Sequence, residues 1–158
     1  MGNKNNKTNV MRVLDQKKIP YEAHFYEPDG TLTGVEIANM LGEDPNRVFK
    51  TLVTVSASKT NYVFVVPVEK ELNLKKAAAA VGEKNIEMIK AKELLPLTGY
   101  IHGGCSPIGM KKVFKTIVDE SVNNGSEIMF SGGKVGCQVH MKVEDMAKAF
   151  DYTSADIV

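Results

Sequence analysis

Residues 62–66 read Tyr-Val-Phe-Val-Val, an unbroken apolar run rich in β-branched side chains. A strand sends successive side chains to opposite faces, so a run that is apolar at every position needs cover on both. This run therefore predicts an inner strand. Residues 48–56 alternate instead. Phe49, Thr51, Val53 and Val55 share one face of a predicted strand, and Lys50, Leu52, Thr54 and Ser56 share the other.

Helix signals surround these strands. Thr8 is a cap for a helix carrying Val10, Met11, Val13 and Leu14, ended by Ile19-Pro20. Residues 21–26 read as a short strand before a turn at Pro28-Asp29-Gly30. Thr33-Gly34-Val35-Glu36 has the capping-box pattern and opens a helix expected to bury Val35, Ala38 and Leu41 and to stop at Gly42. Asp44-Pro45 starts another tight turn. Asn73 caps a helix with Leu74, Ala77, Ala78 and Val81, ended by Gly82. Residues 85–89 read as a strand, and residues 91–95 as a helix cut by Pro96.

Residues 97–109 begin apolar and β-prone, predicting a strand that runs out into a glycine-rich turn closed by Pro107 and Gly109. Residues 115–120 and 127–130 read as strands joined around Asn123-Asn124-Gly125. After the Ser131-Gly132-Gly133 turn, residues 136–141 form a strand and residues 143–150 a closing helix. Strands crowd the second half without alternating with helices. The expected class is α+β, a mixed, barrel-like β-sheet flanked by helices, and not a doubly wound sheet. At 158 residues, one domain over 1–158 is expected, with residues 1–8 as a loose tail.

Lysine plus arginine (20) nearly balances aspartate plus glutamate (19), so bulk charge announces no nucleic-acid partner. Arginine occurs only at Arg12 and Arg47, which leaves positive charge to lysine. No apolar run approaches the roughly 20 residues of a membrane span. With no apolar signal segment, Cys105 and Cys137 are expected to stay reduced in a cytoplasmic setting, with neither membrane nor DNA as partner.

Several groups carry chemical possibilities. Lys50 lies mid-strand opposite a core-like face, where a fixed cation can hold a phosphate or carboxylate or steer a carbonyl; a solvated edge lysine is the plainer alternative. Gly103-Gly104-Cys105-Ser106-Pro107-Ile108-Gly109 lets a ligand approach bare backbone, although it is neither a P-loop nor a nucleophile elbow. These two segments and the second glycine turn are expected to wall one pocket. A Cys105–His102 dyad lacks an acid partner, and a buried, inert Cys105 is favoured. His102, Cys105, Cys137 and His140 have zinc-like spacing, but Cys137 and His140 fall three apart on one strand and point to opposite faces, so no metal is expected. Lys75, Lys76, Lys111, Lys112, Lys115 and Lys134 read as ordinary solvated lysines rather than an RNA-binding rim.

Five segments, in this order, carry a resemblance: Phe49-Lys50-Thr51-Leu52, Leu72-Asn73-Leu74-Lys75-Lys76-Ala77, Thr98-Gly99-Tyr100, Gly103-Gly104-x-Ser106-Pro107-x-Gly109-x-Lys111-Lys112 and Ser131-Gly132-Gly133-Lys134. Across residues 10–157 the chain resembles the YbaK/EbsC family of bacterial Cys-tRNA(Pro) deacylases, related to the editing domain inserted in prolyl-tRNA synthetases. The resemblance implies a pocket for the aminoacylated 3′ end of tRNA and no cofactor, with prolyl-tRNA synthetase as a further partner. Lys50 matches the family's essential lysine, and Tyr26, Thr33 and Thr51 match pocket-lining positions, the Thr33 position often being phenylalanine. Gly103 matches the backbone group that holds the aminoacyl moiety, and Gly104, Ser106 and Pro107 accompany it. Ser131 matches the polar wall, with Gly132 and Gly133 beside it; Val135 stands where the family commonly has arginine.

The implied reaction is deacylation of mischarged Cys-tRNA(Pro), in which the substrate thiol attacks its own carbonyl once folded into position. Alternatives are editing of another misacylated tRNA such as Ala-tRNA(Pro), and a non-catalytic module that binds tRNA ends or nucleotides. A thiol-redox role for Cys105 and Cys137 is disfavoured by the lack of Cys-x-x-Cys.

Overall fold

A computed structural model describes residues 7–27 and 31–158. Their elements run α1 (Asn9–Gln16), β1 (Glu22–Phe25), α2 (Gly34–Met40), β2 (Phe49–Ser56), β3 (Asn61–Pro67), α3 (Leu74–Val81), β4 (Ile86–Met88), α4 (Ala91–Thr98), β5 (Lys115–Asp119), β6 (Glu127–Ser131), β7 (Cys137–Lys142), α5 (Val143–Ala149) and β8 (Thr153–Ala155). The predicted caps fix the helix starts. Thr8 Oγ1 accepts the Met11 N–H at 3.2 Å. Thr33 and Glu36 cap each other reciprocally at 3.2 and 2.9 Å. Asn73 Oδ1 accepts from the N–H groups of Lys75 and Lys76, and α3 ends at Gly82 with φ of +72°.

One sheet has the order β4-β2-β3-β5-β8, antiparallel across β4, β2 and β3 and parallel from β3 through β5 to β8. The other is an antiparallel β1-β7-β6 sheet. β3 is the inner strand that its composition predicts. Val63 and Val65 join a core shared with α1, β6 and β7, while Phe64 and Val66 pack beneath α3 against Ala77 and Ala78.

The expected barrel-like curl is not formed. The sheets pack across a shared core, but among the described residues one isolated parallel bridge, Val48 to Met129, is the strand pairing between them. β4 occupies the same side of β2 further along, at residues 54–56, so β6 gains no longer pairing there. α4 continues past Pro96 to Thr98 because the Thr98 hydroxyl donates to Leu94 O at 2.8 Å and the Gly99 N–H reaches Leu95 O at 2.9 Å. Residues 97–100 therefore form a helix end instead of a strand, with Gly99 at φ +83° turning the chain away.

β5 and β6 do not form a hairpin either. A 3-10 turn, Glu120–Asn124, carries the chain from one sheet to the other, and Gly125 is extended at φ −155°. Arg47 holds this crossing by donating to the carbonyls of Ser121, Val122 and Glu127 at 2.7–3.0 Å. The last element is also not a helix: beyond α5 the chain adds β8 in parallel beside β5. Val35 and Leu41 are half-buried, and Ala38 is the fully buried residue of α2. The Pro28-Asp29-Gly30 turn and the first six residues of the expected tail lie outside the described residues. No helix among the described residues is long and apolar enough to cross a membrane.

Candidate active site

β2 is uncovered along one edge from its start until β4 joins at residue 54. A cleft of about 260 Å³ opens beside that edge, so the successive residues Val48, Phe49, Lys50, Thr51 and Leu52 all border it. Thr33, Gly34 and Ile37 at the start of α2 form a second wall. His102, Gly103 and Cys105 from the first glycine loop form a third, and Ser131 and Gln138 at the β6–β7 turn close the far side. The volume falls below the roughly 300–1,000 Å³ of drug-sized sites, which suits one small moiety.

Lys50 brings the cation. Its side chain is 30% exposed, and Nζ lies 3.6 Å from Oε1 of Glu71, itself 93% exposed. Such an outward pair is weak and is readily exchanged for another anion. Two polar atoms in the cleft, Thr51 Oγ1 and Gln138 Oε1, are buried with no hydrogen-bond partner among the described residues. Buried polar atoms are rarely left so.

The glycines let two bends press together. A Cβ on Gly104 would sit 2.9 Å from Lys134 Cα and 3.1 Å from Val135 N, so no larger residue fits between the loops. Gly103 takes φ +86° and exposes its backbone at the mouth of the cleft. The Gly104 N–H closes a turn on Ile101 O at 2.9 Å, whereas the Gly103 N–H makes no bond among the described residues.

Of the expected site residues, Lys50, Thr33, Thr51, Gly103 and Ser131 come together in this cleft. Tyr26 stands one contact behind it, its hydroxyl accepting from Gln138 Nε2 at 3.4 Å. Gly104 lies beneath the lining. Ser106 is fully buried, and its Oγ accepts the Ile108 N–H at 3.3 Å. Pro107 borders a different groove with Val13 and Phe114. Gly132 packs on Cys137 Sγ and Gly133 on Val10, so these glycines shape the bend instead of lining the cleft. Gln138 is a lining residue that sequence reasoning missed. Its one signal was a polar residue in an otherwise core-forming strand directly after a glycine turn.

The thiols are poor nucleophiles here. Burial pushes Cys105 up to about 12 and Cys137 up to about 11 from an ordinary 9.0, so both stay protonated near neutrality. Cys137 belongs to the buried core, whereas His140 turns to the other face toward Glu22 and Glu127, so the four-residue zinc spacing does not converge.

The family described as "Aminoacyl-tRNA editing domain" matches residues 29–149. A relative from Enterococcus faecalis, named "Putative Cys-tRNA(Pro)/Cys-tRNA(Cys) deacylase EbsC", is 46% identical over 139 residues, covering 87% of this chain and 85% of its own. A proline–tRNA ligase from Thermosipho melanesiensis is 29% identical over 100 residues, which is 63% of this chain but 17% of the ligase. The solved structure titled "Crystal structure of a putative trans-editing enzyme for prolyl tRNA synthetase" shares the fold, with a TM-score of 0.81 over 94% of each chain and 24% identity.

Proposed function

This chain belongs to the aminoacyl-tRNA editing domain family, and from that premise we propose that it is a trans-acting aminoacyl-tRNA deacylase that clears Cys-tRNA(Pro) with the substrate's own thiol as nucleophile. The observation that carries this reading is the composition of the cleft. It gathers a cation (Lys50), a free backbone N–H (Gly103) and two unpartnered polar atoms (Thr51 Oγ1, Gln138 Oε1), while its own thiol is held protonated. Ser131 Oγ already accepts the Gly133 N–H at 3.1 Å. Such a site is equipped to position and to stabilise charge, and it leaves the attacking group to the substrate.

In the step that fits, the cysteinyl sulfur bonds to its own carbonyl carbon and the ester bond to the 3′ oxygen breaks. The thiol proton passes to that leaving oxygen, and water later opens the released thiolactone. Lys50 orients the ester end of the terminal adenosine, and Gly103 N–H faces the developing oxyanion. Delivery of the tRNA by prolyl-tRNA synthetase belongs to the same proposal, supported by the match to the Thermosipho ligase.

A panel of misacylated tRNAs tests the reading. Cys-tRNA(Pro) is expected to be deacylated far faster than Ser-tRNA(Pro), which has the same shape without the thiol. Equal rates would assign the attack to water, and preference for Ala-tRNA(Pro) would assign a different substrate. Tight binding of all of them without turnover would make the chain a binding module.

A further inference from the structure

On the face of the β1-β7-β6 sheet turned away from the core shared with α1, Glu22 and His24 lie two apart on β1 and so point the same way. His140 of β7 sits directly opposite Glu22, and its ring centroid is 5.9 Å from that of His24. One ligand atom from each of Glu22, His24 and His140 falls within 4.8 Å of the others. From this geometry we propose that Glu22, His24 and His140 bind one divalent transition ion of the zinc class, fastening the edge strand β1 to β7.

A further observation points to an ion. His24 Nε2 is buried with no hydrogen-bond partner among the described residues. Nε2 of His140 lies 3.1 Å from Glu127 Oε1, while Nδ1 lies 3.8 Å from Glu22 Oε1. His140 thus lies between two carboxylates, and Glu22 is the one it shares with His24. The atoms need to draw in by about 1 Å to the ~2.0–2.2 Å bonds of zinc, a movement that edge-strand side chains allow. Two imidazole nitrogens and one carboxylate suit zinc or cobalt and not calcium or magnesium, which take oxygen. The competing explanation is a simple polar contact of His140 with two glutamates. It accounts for His140 and leaves the sealed nitrogen of His24 unexplained.

The test uses untagged, chelator-stripped full-length protein titrated with Zn2+, and with Co2+ as a visible probe. The expected result is one ion per chain, with affinity reduced at least about tenfold in both His24→Ala and His140→Ala. A large excess of Zn2+ should raise the wild-type unfolding midpoint by roughly 5–10 °C. Should a variant fail to fold, imidazole resonances of the wild type decide: Zn2+ should shift His24 and His140 and leave His102 in place. No saturable binding, binding indifferent to both histidine substitutions, or a shift confined to His102 each overturns the proposal. The ion site is independent of the deacylase reading, since its readout is binding and not turnover.

Discussion

Replacing Lys50 with alanine separates chemistry from folding. The side chain forms a 3.6 Å pair with the 93%-exposed Glu71, a pair worth about 0–1 kcal/mol. Loss of stem packing adds a similar amount. The unfolding midpoint should therefore fall by no more than about 8 °C. If Lys50 holds the ester end of the substrate, its removal deletes one preorganised charge, and such deletions cost about 10²–10³ in rate, or ~2.7–4 kcal/mol. Single-turnover deacylation of Cys-tRNA(Pro) at saturating enzyme reads this directly, and a melting curve on the same sample reads the fold. Glu71→Gln supplies the control, because it breaks the same ion pair and keeps the cation; its rate should stay within about twofold of wild type. A Lys50→Ala rate within about threefold of wild type would refute the reasoning, as would equal losses in both variants.

Gly104→Ala should cost about 1–3 kcal/mol in urea denaturation, since its Cβ meets backbone of Lys134 and Val135 at 2.9–3.1 Å and neither bend can yield cheaply. Deacylation should fall with it, because the first glycine loop walls the cleft. Arg47→Ala should lower stability by about 2–4 kcal/mol by stripping three carbonyls of their donor, and Arg47→Lys should recover little, as an ammonium cannot span the fork. Stability should decline as pH rises above about 9. The unfolded thiols ionise near 9.0, while Cys105 and Cys137 in the fold hold their protons to about 12 and 11; the folded state then carries more protons, and unfolding gains with pH. Urea midpoints from pH 8 to 10.5 for the wild type and Cys105→Ala check this, and a variant with an undiminished slope would remove Cys105 as a cause.

The Tyr62–Val66 run was legible as an inner strand because burial on both faces admits no polar position, and Val63 and Phe64 do face two different cores. Capping was legible for a similar reason. Thr8, Thr33 and Asn73 bond to N–H groups within their own first turn, so their signal is complete within four residues. The five motif segments were legible as a family pattern, and the family match over residues 29–149 agrees with it. The Asn123-Asn124-Gly125 hairpin failed because the decisive contact is remote: Arg47, more than seventy positions earlier, takes the carbonyls that a tight turn would have used. The α4 boundary failed because contacts beyond Pro96 carry the helix on: the Thr98 hydroxyl donates to Leu94 O and the Gly99 N–H to Leu95 O.

Local chemistry thus dictated the elements that close their own hydrogen bonds and those whose side chains leave no choice of environment. Which elements become neighbours was decided by tertiary contact: β8 beside β5, β5 and β6 in separate sheets, and sheets that pair at Val48 and Met129 without closing. The same holds for the cleft. Lys50, Gly103 and Ser131 announce themselves as a cation and two bends, but Gln138 enters only because β7 turns that residue away from the core and toward the open edge of β2. Periodicity says which way a side chain points relative to its own strand; only packing says what lies in that direction.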